Sequence, residues 1–422
     1  MKGRQMIQRR NKNLHVVREQ EDPTDKIVKD IIQELNNEDT PQEELNEQVK
    51  QHKKEQWRKR IICVAVVLVA VVGIYLLVNL QTYNQARTID SYQNSGTSNN
   101  SYIQFSEGVL KYSRDGISYL DQNGEEQWNQ SYQIKNPFVD VGEKAAAVAD
   151  KGGNDILVFQ KDGIKGEIHT TMPIEKISVS EQGIVSAILK NESSAKIMCY
   201  DTAGNVLVEH KTSLAGTGYP LDVALSANGE VMQVLYLYTQ DGKITSKVIY
   251  YNFGEAGEED ADHQVTTKEY EDTIMASGFF LNSSTSVAVG DNCLSIYQGS
   301  EVPEEETKIT IEKEIKSLFH SDKYIGMVLK NEGKEGYELR LYNSHGKVVL
   351  SEDFTGDYAN AKICGGQVIL YDGKKCSIFM KSGIQKFDGE MDDNILEIFP
   401  VAGVNKYILM STDGMKKIRL VK

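Results

Sequence analysis

Three observations predict an all-β propeller carried outside a membrane. A strand-ending signal recurs roughly every forty residues, turn residues fall about every eight to twelve positions, and one uncharged apolar run stands near the N-terminus. Eight blades are expected, with seven as the alternative. The recurring signal is a hydrophobic residue followed four positions later by glycine. It occurs at Leu120/Gly124, Phe159/Gly163, Tyr200/Gly204, Tyr342/Gly346 and Phe379/Gly383, with looser versions at Tyr251/Gly254 and Tyr297/Gly299. The separations are 39, 41, 51, 46, 45 and 37 residues, the period of blades rather than of smaller repeats.

The surroundings of each anchor define the blade. Upstream lies a run of small and branched apolar residues, such as Ala145–Ala149, Ile184–Leu189 or Gln367–Tyr371. Such runs suit a strand buried on both faces between neighbouring sheets. Turn-like tetrapeptides precede them at Ser180–Gly183 and Ser226–Gly229, and more polar strands follow, as at Asn205–His210 and Lys347–Glu352. The expected order is inner strand, apolar strand, anchor strand, polar outer strand. A last unit holds strands only at Ile395–Phe399, Tyr407–Met410 and Met415–Val421. A propeller closes by pairing strands from its two chain ends, because closure removes exposed edges. Tyr102–Phe105 is the expected donor of the missing strand, so the propeller is expected over 102–422.

Ile61–Leu80 is twenty residues without a charge, about 30 Å as a helix and the thickness of a bilayer core. Lys50, Lys53, Lys54, Arg58, Lys59 and Arg60 precede it, and only Arg87 and Asp90 follow closely. This asymmetry predicts an uncleaved signal anchor in the cell membrane, with a cytoplasmic tail over 1–60 and everything after Leu80 extracytoplasmic. Trp57 and Tyr75 would sit near its two interfaces. Within the tail, Asp22-Pro23 and Thr40-Pro41 look like helix starts. The second helix would run into the membrane span. Residues 81–101, polar and aperiodic, read as a flexible stalk of about 25 Å.

Charge narrows the partners. Residues 1–60 hold 14 Lys and Arg against 12 Asp and Glu, whereas the part after Leu80 holds 33 against 49. A net charge of −16 beyond the apolar run excludes the basic footprint that nucleic acid requires. Of five cysteines, Cys63 falls in the apolar run, and Cys199, Cys293 and Cys376 fall in strand-like runs as small buried hydrophobes. No Cys-x-x-Cys occurs.

Tyr119–Trp128, Cys199–Gly204 and Leu341–Gly346 resemble the aromatic-Asp-x-x-Gly hairpins of quinoprotein-like propellers, in which a following tryptophan docks neighbouring blades. The layout is similar to a family of single-pass membrane β-propeller proteins of Gram-positive bacteria, a domain of unknown function. The resemblance covers roughly residues 102–422. One docking tryptophan is present, Trp128, with Leu207 and Val349 in the comparable places of later blades. The adjacent cysteines of quinoprotein dehydrogenases are missing, so no cofactor is expected.

No catalytic or metal residue is nominated. Ser113–Gly116 and Ser411–Gly414 read as hairpin turns, and Ser193–Lys196 and Ser344–Lys347 as chance Ser-x-x-Lys matches in turns. There is no Gly-x-Ser-x-Gly elbow. His169, His210, His263, His320 and His345 lack paired metal spacing. Asp150–Asp155 misses the alternation and closing glutamate of a calcium loop. Two acidic stretches stand out, Glu255–Asp272 and Glu301–Glu306, expected as loops on neighbouring blades. The expected function is a membrane-anchored scaffold, not an enzyme. It would bind a protein or envelope glycan outside and, through residues 1–60, a cytoplasmic protein. The alternative is an extracytoplasmic enzyme acting on envelope polysaccharide.

Overall fold

The repeat signal has a concrete backbone meaning. In a computed structural model describing residues 23–35, 42–79, 81–93, 100–192, 194–213, 217–240 and 242–422, all seven anchors fall on the third strand of a four-stranded antiparallel sheet. At each anchor the pairing with the fourth strand shifts by one residue. Such a bulge bends the strand and increases its local twist. At Tyr200 the turn that follows is held by Asp201, whose Oδ1 accepts the N–H groups of Ala203 and Asn205, both at 2.9 Å. Gly204 completes it at φ 81°, a conformation that costs a side-chain-bearing residue free energy.

Eight such sheets are present. Blade 1 comprises Ser101–Phe105, Gly108–Tyr112, Gly116–Leu120 and Glu126–Ser131. Blades 2 to 7 follow over 137–169, 174–211, 219–271, 275–310, 315–354 and 360–390. Blade 8 takes Glu397–Pro400, Lys406–Ser411 and Gly414–Val421 from the C-terminus, and Gln85–Gln93 from the N-terminus as its outermost strand. The propeller is therefore eight-bladed, as expected.

Two expectations are corrected here. The closing strand is Gln85–Gln93, not Tyr102–Phe105, which lies in the inner strand of blade 1. The proposed stalk over 81–101 is accordingly part of the ring as far as residue 93. Tyr83 is already bonded to blade 7, donating its N–H to the Lys386 carbonyl at 2.8 Å, while its hydroxyl accepts from Asn405 Nδ2 at 2.7 Å. An outermost strand has only one neighbour and little burial. Its sequence, QARTIDSYQ, therefore carries no apolar alternation and looks like a linker.

The core consists of eight apolar clusters among the described residues, one for each contact between successive blades. The run Ala145–Ala149 is buried along its whole length, which explains its small residues: sheets press on it from both sides.

The N-terminal part, 1–79, is a separate unit. Helix α1 spans Pro23–Leu35 and α2 spans Gln42–Asn79, starting beside the two expected prolines. The apolar run is thus helical from Ile61 to Asn79. Side-chain description within it ends at Gly73, and Tyr75 lies outside it. Among the described residues, no helix is long and apolar enough to cross a membrane.

Candidate functional site

In an up-and-down sheet, the turns between strands one and two and between strands three and four lie at the same end. That end of the ring also receives the incoming chain, because Gln85 pairs with Val421. Here the inner strands of blades 2 to 6 enclose a channel of about 1150 Å³.

Side chains pin these inner strands to one another across the blade boundaries. Asp140 of blade 2 accepts the Val179 N–H at 2.7 Å, and Ser178 of blade 3 accepts the Leu225 N–H at 3.0 Å. Asp222 of blade 4 accepts the Gly278 N–H at 3.0 Å. Inner strands of neighbouring blades do not pair as one sheet, so these side chains satisfy N–H groups that would otherwise be orphaned. Gly278 lets the strands approach: a Cβ there would lie 2.2 Å from the buried Gln233 Oε1, whose side chain would have to move.

The channel's electrostatics follow from its enclosure. Burial pushes the Asp140 carboxyl up to about 6. Burial also raises Asp222, against the opposing pull of Lys176, whose Nζ lies 3.6 Å away. His320 touches the channel solvent and stacks on Phe279 with ring centroids 4.0 Å apart. The surrounding blades strip enough solvation to hold its imidazole down at about 4, so at neutral pH it is uncharged.

The two acidic stretches do meet on adjacent blades. Asn252 Nδ2 donates to the Glu301 carbonyl at 2.8 Å, tying the turn of blade 4 to that of blade 5. Glu258, Glu259 and Asp260 are exposed. Both stretches are only partly loops, since Gln264–Glu271 is the outer strand of blade 4 and Glu304–Thr310 that of blade 5. Within the second, Glu305 turns inward to the Tyr270 hydroxyl at 2.5 Å and Lys268 at 3.0 Å. Glu306 contacts His345 Nδ1 at 3.2 Å.

Trp128 docks blades 1 and 2, its ring stacked on Phe159 at 5.3 Å and its Nε1 donating to the Lys161 carbonyl at 3.0 Å. Leu207 and Val349 are not its counterparts. Trp128, Val208 and Leu350 each stand four residues after the turn glycine of their blade, and accordingly Tyr119 faces Trp128, Cys199 faces Val208 and Leu341 faces Leu350. Val208 and Leu350 pack between blades, while Leu207 is 50% and Val349 37% exposed. A one-residue slip exchanges the two faces of a strand. Val206, Val302 and Val348 are also exposed, and all five stand just before or at the start of an outer strand, at the channel-mouth end. The doublets Val206-Leu207 and Val348-Val349 directly after turns are the sequence signal for this rim.

The other candidates are absorbed locally. Asp150 accepts the Asn136 N–H at 2.9 Å, Asp155 contacts His169, and Asn154 bonds Thr170. His210 packs its ring, tilted, against Tyr251 at 4.4 Å and lies stacked near Phe253. Ser113 and Ser411 close their hairpins through the N–H groups of Asp115 and Asp413, and Ser193 lies outside the described residues. Among the described residues no group of three His, Cys, Asp or Glu could hold a metal ion. The described cysteines are free, with Cys199, Cys293 and Cys376 buried.

Fold and repeat together define a closed eight-bladed β-propeller with an open channel mouth. The chain belongs to the family described as "Family of unknown function (DUF5711)", which matches residues 79–420. No functionally curated protein matches it. Among solved structures it is similar to Sqt1 of Saccharomyces cerevisiae, with a TM-score of 0.51 and 13% identity over 81% of this chain and 100% of that one. It is also similar to BamB from Moraxella catarrhalis (0.45, 11%, covering 80% and 100%) and to virginiamycin B lyase from Staphylococcus aureus (0.41, 14%, covering 80% and 100%). At these identities the likeness concerns the fold alone.

Proposed function

We propose that this chain is a single-pass membrane protein whose propeller docks a partner protein outside the cell, while residues 1–60 recruit a cytoplasmic one. The observation that carries docking is a coincidence at one end of the ring. The channel mouth, the acidic turns of blades 4 and 5, and the exposed Val206, Leu207, Val302, Val348 and Val349 share that end. Exposed apolar residues grouped around a concavity mark interaction surfaces, and rigid blades hold such loops in fixed register. The anchor is supported by the uncharged run Ile61–Leu80, its helical conformation up to Asn79 and the basic residues before it.

The test of docking is affinity capture from membranes with the full chain and with a rim variant, Val206→Ser, Leu207→Ser, Val348→Ser and Val349→Ser combined. Partner recovery should fall sharply while the melting temperature holds. Unchanged recovery defeats the docking reading. Topology is tested separately by labelling single cysteines at positions 12 and 330 in intact cells, where only position 330 should react from outside.

A further inference from the structure

We infer that the channel mouth is a binding site for a cationic polypeptide segment, which seats a Lys or Arg side chain against Asp140. This rests on the docking reading above and names the chemistry that the site selects.

The argument begins with an uncompensated charge. Asp140 stands in the channel wall, its carboxylate accepting the Val179 N–H at 2.7 Å and the backbone N–H of Val141, and it has no ion pair among the described residues. Its counterpart Asp222 has Lys176. The other acidic groups lining the cavity are Glu143, Glu181 and Asp322. Glu181 is paired with Lys144, and Asp322 with Lys323 at 3.2 Å. That leaves Asp140 in the wall and Glu143 in the turn directly above it, both from blade 2. An enclosed carboxylate without a counter-charge is unfavourable, and a cation supplied by a ligand relieves it. Neutral His320 does not compete for this role. Burial, together with the like charge of Asp222, raises the Asp140 carboxyl, which a bound cation would offset.

Size and wall composition choose the cation. A cavity of about 1150 Å³ is far larger than a metal ion needs, and no metal-binding group of three is present among the described residues. Phe138, Phe280 and Leu318 line the same space, so a ligand with apolar stems around its charge fits better than a hydrated ion. Lys and Arg side chains have this form, a charged head on an aliphatic stem. The acidic lining residues outnumber Lys176 and Lys323 five to two, which disfavours a nucleic acid strand.

The test is fluorescence anisotropy with the full-length chain in neutral-detergent micelles, protein-free micelles serving as blank. The probes are labelled octapeptides of alternating Lys and Tyr, and of alternating Glu and Tyr. Asp140→Asn keeps an acceptor for the Val179 N–H but removes the charge. Ala227→Trp narrows the mouth without touching a charge. Each should weaken the Lys–Tyr peptide by about tenfold or more. Glu258→Gln, Glu259→Gln and Asp260→Asn combined should leave it within about twofold, since exposed charges are screened. Wild-type affinity in Asp140→Asn, with its melting temperature retained, overturns the inference, as does equal binding of the Glu–Tyr peptide. If only the rim substitutions abolish peptide binding, the channel site fails while docking at this end stands. If partner capture ignores every change at this end, the docking reading fails too.

Discussion

The contact between blades 2 and 3 and the contact between blades 8 and 1 solve the same packing problem with different means. Between blades 2 and 3, fourteen buried apolar residues interdigitate, led by Ala145, Ala147 and Ala149 against Ile174, Val185 and Leu189. Between blades 8 and 1 only six are buried: Val109, Leu120, Phe399, Ile408, Met410 and Met415. The first contact joins consecutive segments, and the second joins the two ends of the propeller. The thinner contact is reinforced by backbone. Gln85–Gln93 pairs with Gly414–Val421 at eight positions, Tyr92 packs against the cluster between blades 8 and 1, and Tyr83 and Ala86 pack against the cluster between blades 7 and 8. Side-chain burial holds the middle of the ring, and strand pairing holds its closure.

The largest test of this contrast removes the closing strand. Deleting residues 81–93 should expose the edge Gly414–Val421 and open the ring, lowering the melting temperature by on the order of 10 °C. A melt equal to that of the intact chain would refute closure by this strand. Next comes Trp128→Ala, which loses the stack on Phe159 and leaves a cavity between blades 1 and 2. About 3–5 kcal/mol is expected by denaturant titration. Leu207→Ala, one residue before the position equivalent to Trp128, should cost under about 0.5 kcal/mol.

The tightness of the contact between blades 2 and 3 is tested by Gly166→Ala. A Cβ there would lie 1.7 Å from the Thr202 carbonyl oxygen, so the blades must part, at roughly 1–3 kcal/mol.

A smaller effect comes from Asp140. Its folded pKa, about 6, lies above the usual carboxylate value, so the folded state holds the proton more tightly than the unfolded chain. The folded protein should therefore gain stability as pH falls from about 7 towards 4, in contrast to Glu338. That residue is held at about 2: burial opposes ionisation, but hydrogen bonds from Arg340, Lys313 and Ser351 outweigh it. Its contribution is present above the ordinary glutamate range and is lost as pH falls towards 2. Asp140→Asn should raise the melting temperature at pH 8, by an amount that shrinks as pH falls through 6 and vanishes at about pH 3. A variant that melts lower at pH 8 would show that the carboxylate's charge is compensated.

The sequence by itself determined the blade. A hydrophobic residue with glycine four positions on is a bulge followed by a left-handed turn, both local backbone events, and local events leave local signals. It also determined the count of eight, the helix starts beside Pro23 and Pro41, and the adjacency of the acidic turns on blades 4 and 5. Tertiary structure decided what depends on distant partners. Gln85–Gln93 is a strand only because Gly414–Val421 lies beside it, and nothing in its own polar sequence requires one. Asp140 and Asp222 came from different blades, with no spacing to announce them. Their shared wall exists only once the ring has closed, and the same enclosure that brings them together removes their water and sets their charge.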